Sequence, residues 1–154
     1  MSIFRLLILG LILLFAAASG AHAQDDTIEL PDNVPAVIIN GTASYYDSYG
    51  PEKALHLTVN LYDSGFNQDE KSSLVAKWLR DNGMKNVTES KDHLAIDADT
   101  DVQTVATVFG IAIDQYGIGT ILYYSNSKPP NIPIVLNGII KKIDGLDSFQ
   151  SEMR

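Results

Sequence analysis

The chain has 154 residues, eleven Lys and Arg against nineteen Asp and Glu, a net charge of −8, and no cysteine. That length fits one domain, and the 45% hydrophobic content supplies a core. An acidic surface repels phosphate backbones, so nucleic acid is not an expected partner, and the absence of cysteine excludes disulfide scaffolds, zinc knuckles and thiol catalysis.

Arg5 precedes a thirteen-residue apolar run, Leu6 to Ala18, and Ala21 and Ala23 stand where a signal peptidase wants small residues. The run is shorter than the roughly 20 residues of a membrane span. Residues 1–23 are expected to be a signal peptide cleaved between Ala23 and Gln24, leaving a secreted or periplasmic protein with no membrane attachment. Residues 24–53 carry three prolines, Gly41, Gly50 and Tyr45, Tyr46 and Tyr49. They read as an extended arm around a short strand at Ala36–Ile39.

Leu55, Leu57, Val59 and Leu61 alternate with His56, Thr58, Asn60 and Tyr62, the pattern of a half-buried strand. Asn67 with Glu70 three residues on predicts a capping box for a helix whose apolar stripe is Leu74, Val75, Trp78 and Leu79, ended by Gly83. Val87 centres a second strand. Leu94, Ile96 and Ala98 form a third, which would put His93 and Asp97 on its outer side. Thr100 to Gln103 predicts another capping box. The spacing of Val102, Val105, Phe109, Ile113 and Tyr116 predicts a helix running to Gly117. Ile121–Tyr124 reads as the fourth strand. Pro133 is expected to start a last helix with the stripe Val135, Leu136, Ile139, Ile140 and Ile143, stopped by Gly145.

Residues 54–147 therefore predict an α+β domain. The order β-α-β-β-α-β implies a ferredoxin-like antiparallel sheet with two helices on one face, plus a C-terminal helix. Residues 148–154 form a tail.

Five features in order resemble the activation domain of the sedolisin (kumamolisin-type) serine-carboxyl peptidases. They are the strand Leu57–Leu61, the helix end Trp78-Leu79 through Gly83-Met84, the run Val102 to Gly110 with its Phe109-Gly110 ending, Ile132-Pro133 with Leu136 and Ile140, and Gly145-Leu146-Asp147. The stretch concerned is Leu55 to Asp147. The resemblance implies a pro-domain that precedes a catalytic domain whose nucleophilic serine lies in a Gly-Thr-Ser motif. Gly41-Thr42-Ala43 and Gly119-Thr120-Ile121 both lack that serine, and the chain stops seven residues after Asp147. No catalytic residue is carried over, and the chain is not expected to be an enzyme.

The partner implied is the catalytic domain of a sedolisin-type peptidase. The surface expected to meet it is the outer sheet side, His56, Thr58, Asn60, Tyr62, His93 and Asp97, with Ser148, Phe149 and Gln150 directed toward the cleft. Such a protein would act as an inhibitor or a folding chaperone. An orphan secreted binding module, or a fragment of a peptidase precursor, are the other readings. Gly-rich phosphate loops are absent. His56 and His93 have no second ligand at metal spacing, and Asp97, four residues from His93, is about 13 Å along a strand. No metal or cofactor is therefore expected. A four-stranded sheet also invites RNA recognition, against which stand the charge and the missing aromatic-basic signatures. Asn40-Gly41-Thr42 and Asn86-Val87-Thr88 are glycosylation sequons, meaningful in a eukaryotic secretory pathway.

Overall fold

The computed structural model describes residues 26–149. The expected signal peptide, its Ala23–Gln24 cleavage point and Gln150 lie outside them. In chain order the elements are β1 (Thr27–Glu29), α1 (Ala36–Ile39), β2 (Ser44–Ser48), β3 (Ala54–Leu61), α2 (Gln68–Asp81), β4 (Lys85–Glu89), β5 (Ala95–Asp101), α3 (Val102–Phe109), β6 (Ile113–Ile118), β7 (Ile121–Asn126), β8 (Asn131–Pro133), a 3-10 turn at Ile134–Leu136, and β9 (Ile140–Asp144). The fold mixes helices with antiparallel sheets, as an α+β protein does. One sheet has the order β4-β5-β3-β9, a second β2-β6-β7, and β1 pairs with β8.

The alternation in β3 governs the larger sheet. Leu55, Leu57, Val59 and Leu61 are buried while their neighbours are not. They share one core with Val75, Ala76 and Leu79 of α2, Val105 and Phe109 of α3, Ile96 and Ala98 of β5, and Ile140 and Ile143 of β9. Trp78 meets Phe109 edge-on at 5.8 Å. Leu74 does not join the stripe; it is 46% exposed, and Ser72 is buried instead, its hydroxyl donating to Glu89 at 2.6 Å.

The helix ends refine the expected caps. Asn67 precedes α2 in a left-handed conformation (φ 50°), not the extended one a side-chain cap requires, so the capping box does not form; the Asn67 amide donates to Glu70 at 3.0 Å. At the other end Met84 N–H bonds Leu79 O and Gly83 N–H bonds Arg80 O, a Schellman arrangement built on Gly83 at φ 85°. The cap of α3 is Asp101 rather than Thr100, its carboxylate accepting from Thr104 N–H at 2.7 Å.

Four expectations are overturned. Ala36–Ile39 is a single helical turn following Pro35, not a strand. The helix from Val102 stops at left-handed Gly110, and Ile113–Ile118 is a strand. Ile113 and Tyr116, three apart, lie on opposite faces of β6, and each face has its own hydrophobic cluster; burial on both sides imitated a helical spacing. Ile121–Asn126 pairs with β6 in the smaller sheet and is not the fourth strand of the larger one.

That fourth strand is β9, where a helix was expected. The helical turn at Ile134–Leu136 ends after three residues at extended Asn137 and left-handed Gly138, and leaves Val135 71% exposed. Ile140 pairs with Leu61 and Lys142 with Asn60, so one extra residue, Lys141, bulges from β9. The bulge returns Ile140 and Ile143 to the same buried face although they are three apart.

Candidate functional site: the outer face of the four-stranded sheet

Period two places His56, Thr58 and Asn60 opposite the buried residues of β3. Cross-strand register sets Asp99 beside His56, Asp97 and Asp144 on either side of Thr58, and Lys142 beside Asn60. Lys85 of β4 stands across from Asp99. The face thus draws polar residues from all four strands, those of β3 and β5 fixed by the buried apolar residues that alternate with them.

The side chains are tied to one another. His56 Nδ1 lies 2.7 Å from Asp99 Oδ1, and its Nε2 is 3.8 Å from Asp97 Oδ1. Thr58 Oγ1 donates to Asp97 at 2.7 Å, and Asn86 Nδ2 donates to Asp99 at 2.8 Å. Asn60 Nδ2 donates to Asp144 at 2.8 Å, and Lys142 pairs with Asp144 at 2.6 Å. The hydrogen bond from His56, then that from Asn86, holds the Asp99 carboxyl below the usual carboxylate range. The network faces water: the His56 side chain is 64% exposed. Each exposed pair is worth little alone, so the network orders the surface more than it stabilises the fold.

Of the six residues expected on this face, His56, Thr58, Asn60 and Asp97 are brought together. Tyr62 lies just past the end of β3, half-exposed. His93 is not on the sheet: β5 begins at Ala95, and His93 occupies the preceding turn at φ 58°, its Nδ1 3.6 Å from Glu89. Asp99, Asn86, Lys142 and Asp144 escaped the sequence reading. Asp99 was findable, two residues beyond Asp97 and of the same parity; Lys142 and Asp144 required knowing that β9 is a strand.

Ser148 and Phe149 belong to the folded body. Ser148 N–H donates to Tyr124 O at 3.0 Å, and Phe149 is buried against Tyr123. Among the described residues, no three His, Asp or Glu side chains are grouped so as to hold a metal ion, and no helix is long and apolar enough to cross a membrane.

Residues 47–149 match the family described as Pro-kumamolisin, activation domain. The chain belongs to the pro-kumamolisin activation domain family. No catalytic-domain family matches, and no curated protein matches the sequence. The activation-domain match begins inside β2 and ends at Phe149, so it takes in the smaller sheet and β9 as well as the β3–α3 segment. It ends at Phe149, whose ring stacks on Tyr123.

Proposed function

We propose that this activation domain is a secreted, stand-alone protein that binds the catalytic domain of a sedolisin-type serine-carboxyl peptidase, inhibiting it or assisting its folding. The order β4-β5-β3-β9, with α2 and α3 as the crossovers, supports a ferredoxin-like reading of the domain. The leader-like residues 1–23 support secretion. In this reading the reactive serine belongs to the peptidase catalytic domain and not to the activation domain.

The observation that carries the reading is the outer sheet face. One side of the four-stranded sheet is closed by the core, and the other presents an ordered array of exposed His56 and half-buried Thr58, Asn60, Asp97, Asp99 and Asp144. A preformed polar face of this kind suits a partner surface carrying cations and hydrogen-bond donors, over the roughly 800 Å² per side of an ordinary interface.

The test is inhibition of a purified sedolisin-type peptidase, with direct binding by calorimetry. Asp97→Ala/Asp99→Ala is expected to weaken binding tenfold or more, about 1.4 kcal/mol, while circular dichroism is unchanged. Wild-type protein that binds no such peptidase under any condition would move the assignment to an orphan binding module.

A further inference from the structure

The bulge in β9 sets two lysines side by side on the outward side of the sheet. Ile140 and Ile143 are both buried, and the two residues between them are not. Lys142 stands across from Asn60, and Lys141 is the extra, exposed residue. Bulges re-aim side chains in this way. The two ammonium groups differ in what holds them. Lys142 pairs with Asp144 at 2.6 Å, whereas Lys141 has no ion pair or side-chain hydrogen bond among the described residues. Both lysines line a cleft of about 200 Å³ with Tyr62, Pro31 and Asp32. Tyr62 directly follows β3, where its N–H donates to Ile139 O at 2.9 Å. It is half-exposed, and its hydroxyl has no partner among the described residues. Asn33 bonds both backbone groups of Ile143 and so fixes Pro31 and Asp32 as the far wall.

We propose that the cleft between Lys141 and Tyr62 takes the carboxylate of an Asp or Glu side chain on the peptidase catalytic domain, and that this contact fixes which way round the domain docks. This rests on the function proposed above and deepens it. The outer face is bipolar. Asp97 and Asp144 flank Thr58, and Asp99 lies beyond them beside His56. Tyr62 is four residues from Thr58 in the other direction, about 13 Å along the strand. There the ammonium of Lys141 supplies an unpaired positive charge, and the Tyr62 hydroxyl supplies a directed hydrogen bond. An acidic array alone attracts cations without choosing an orientation. A cation at one end adds a second point of opposite sign, so a reversed domain would set like charges against each other. Asp32, on the far wall, repels the same incoming carboxylate and sets a limit on its affinity.

The experiment measures binding to a purified sedolisin-type peptidase by calorimetry, for wild type and single variants. Lys141→Ala is expected to bind about three- to fivefold more weakly, and Lys141→Glu about tenfold more weakly or worse. Lys141→Arg should stay near wild type. Tyr62→Phe should weaken binding about twofold. Asp32→Asn should bind more tightly than wild type, because it removes the opposing charge. The control is Lys77→Glu, which makes the same change in net charge on α2, on the core side of the sheet, where Lys77 is 71% exposed. It should stay within about twofold of wild type. Thermal melts accompany each variant; if Lys141→Glu melts early, Lys141→Ala and Asp32→Asn decide the matter. Lys141 variants that bind no more weakly than Lys77→Glu would overturn the proposal, and so would weaker binding by Asp32→Asn. Asp97→Ala/Asp99→Ala separates this site from the function itself. Weakening there, with none in the Lys141 variants, removes the cleft and keeps the interface. Wild-type protein that binds no such peptidase overturns both.

Discussion

The side chain of Asn33 imitates a strand against Ile143. Its Nδ2 donates to Ile143 O at 2.8 Å and its Oδ1 accepts from Ile143 N–H at 2.7 Å, a two-point pairing across 110 residues of sequence. Asn33 thereby occupies the outer edge of β9, which would otherwise present unpaired backbone groups. Asn33→Ala leaves both Ile143 groups without their partner and should cost about 2–4 kcal/mol, read by urea denaturation. Asn33→Asp should be no better, since a carboxylate cannot donate to the carbonyl and is itself buried. Wild-type stability in either variant would show that the edge is satisfied in another way.

Gly145 permits the closest backbone approach found among the described glycines. At φ 94° a Cβ there would stand 2.0 Å from His56 O, and that oxygen belongs to the central strand. Gly145→Ala is expected to cost at least about 3 kcal/mol, or to prevent folding. Gly138, with φ 74° and open space around it, is the control: Gly138→Ala should cost only about 1–2 kcal/mol from backbone strain. Equal midpoints in thermal melts of the two variants would refute the steric account.

Stability should fall with acidification through the carboxylates whose charged form the fold favours. Asp101 is held low by the Thr104 backbone and side-chain hydrogen bonds at the start of α3, and Asp99 by His56 and Asn86. For a depressed carboxylate the contribution is present above the unfolded value of about 3.9 and is lost as pH falls through the folded value. Asp114 runs the other way, because burial raises it and its penalty is relieved in acid. Thermal melts from about pH 6 to about pH 3 should show a falling midpoint, with a shallower fall in Asp99→Asn/Asp101→Asn and a steeper one in Asp114→Asn. Identical slopes in all three proteins would reject these assignments.

Binding to a peptidase partner is expected to weaken on acidification. The outer face offers the carboxylates of Asp97, Asp99 and Asp144 to partner cations, and Asp99, held low by His56 and Asn86, keeps its charge further into acid than an ordinary carboxylate. Protonation removes attraction to partner cations, and several weak pairs lost together amount to a measurable change. Affinity measured between about pH 7 and about pH 3.5 checks this. Equal or tighter binding at the acid end excludes release by this route.

The mature protein should begin at Gln24, since Ala21 and Ala23 follow the apolar run at the spacing a signal peptidase reads. Intact mass of protein recovered from the medium or periplasm decides it. Product that retains Met1 and sediments with membranes would contradict secretion.

What the sequence displayed openly was the segment from Leu55 to Phe109. There β3 and β5 each bury one face and α2 and α3 each bury one stripe, Leu74 apart, so periodicity and burial largely coincide. It misled where they part. The bulge at Lys141 makes Ile140 and Ile143 share a face at helical spacing, and β6 buries residues on both faces, so neither strand shows period two. The candidate face was half legible for the same reason. His56, Thr58 and Asn60 follow from β3 alone, whereas Asp144 and Lys142 enter through a pairing that no local pattern announces. His93 was misplaced because the left-handed turn that holds it breaks the parity counted back from Ile96.

The use of β9 as the partner of β3 has a consequence during synthesis. Asn60 and Asp144 are 84 residues apart, yet their strands are neighbours in the larger sheet. A nascent chain on the ribosome has made β3, α2, β4, β5 and α3 long before β9 emerges. Until then one flank of β3 is an unpaired template for other strands, the condition that favours intermolecular association. Closure of so distant a pair is slow for entropic reasons. Premature termination anywhere before Ile140 should therefore yield aggregates rather than smaller folded domains.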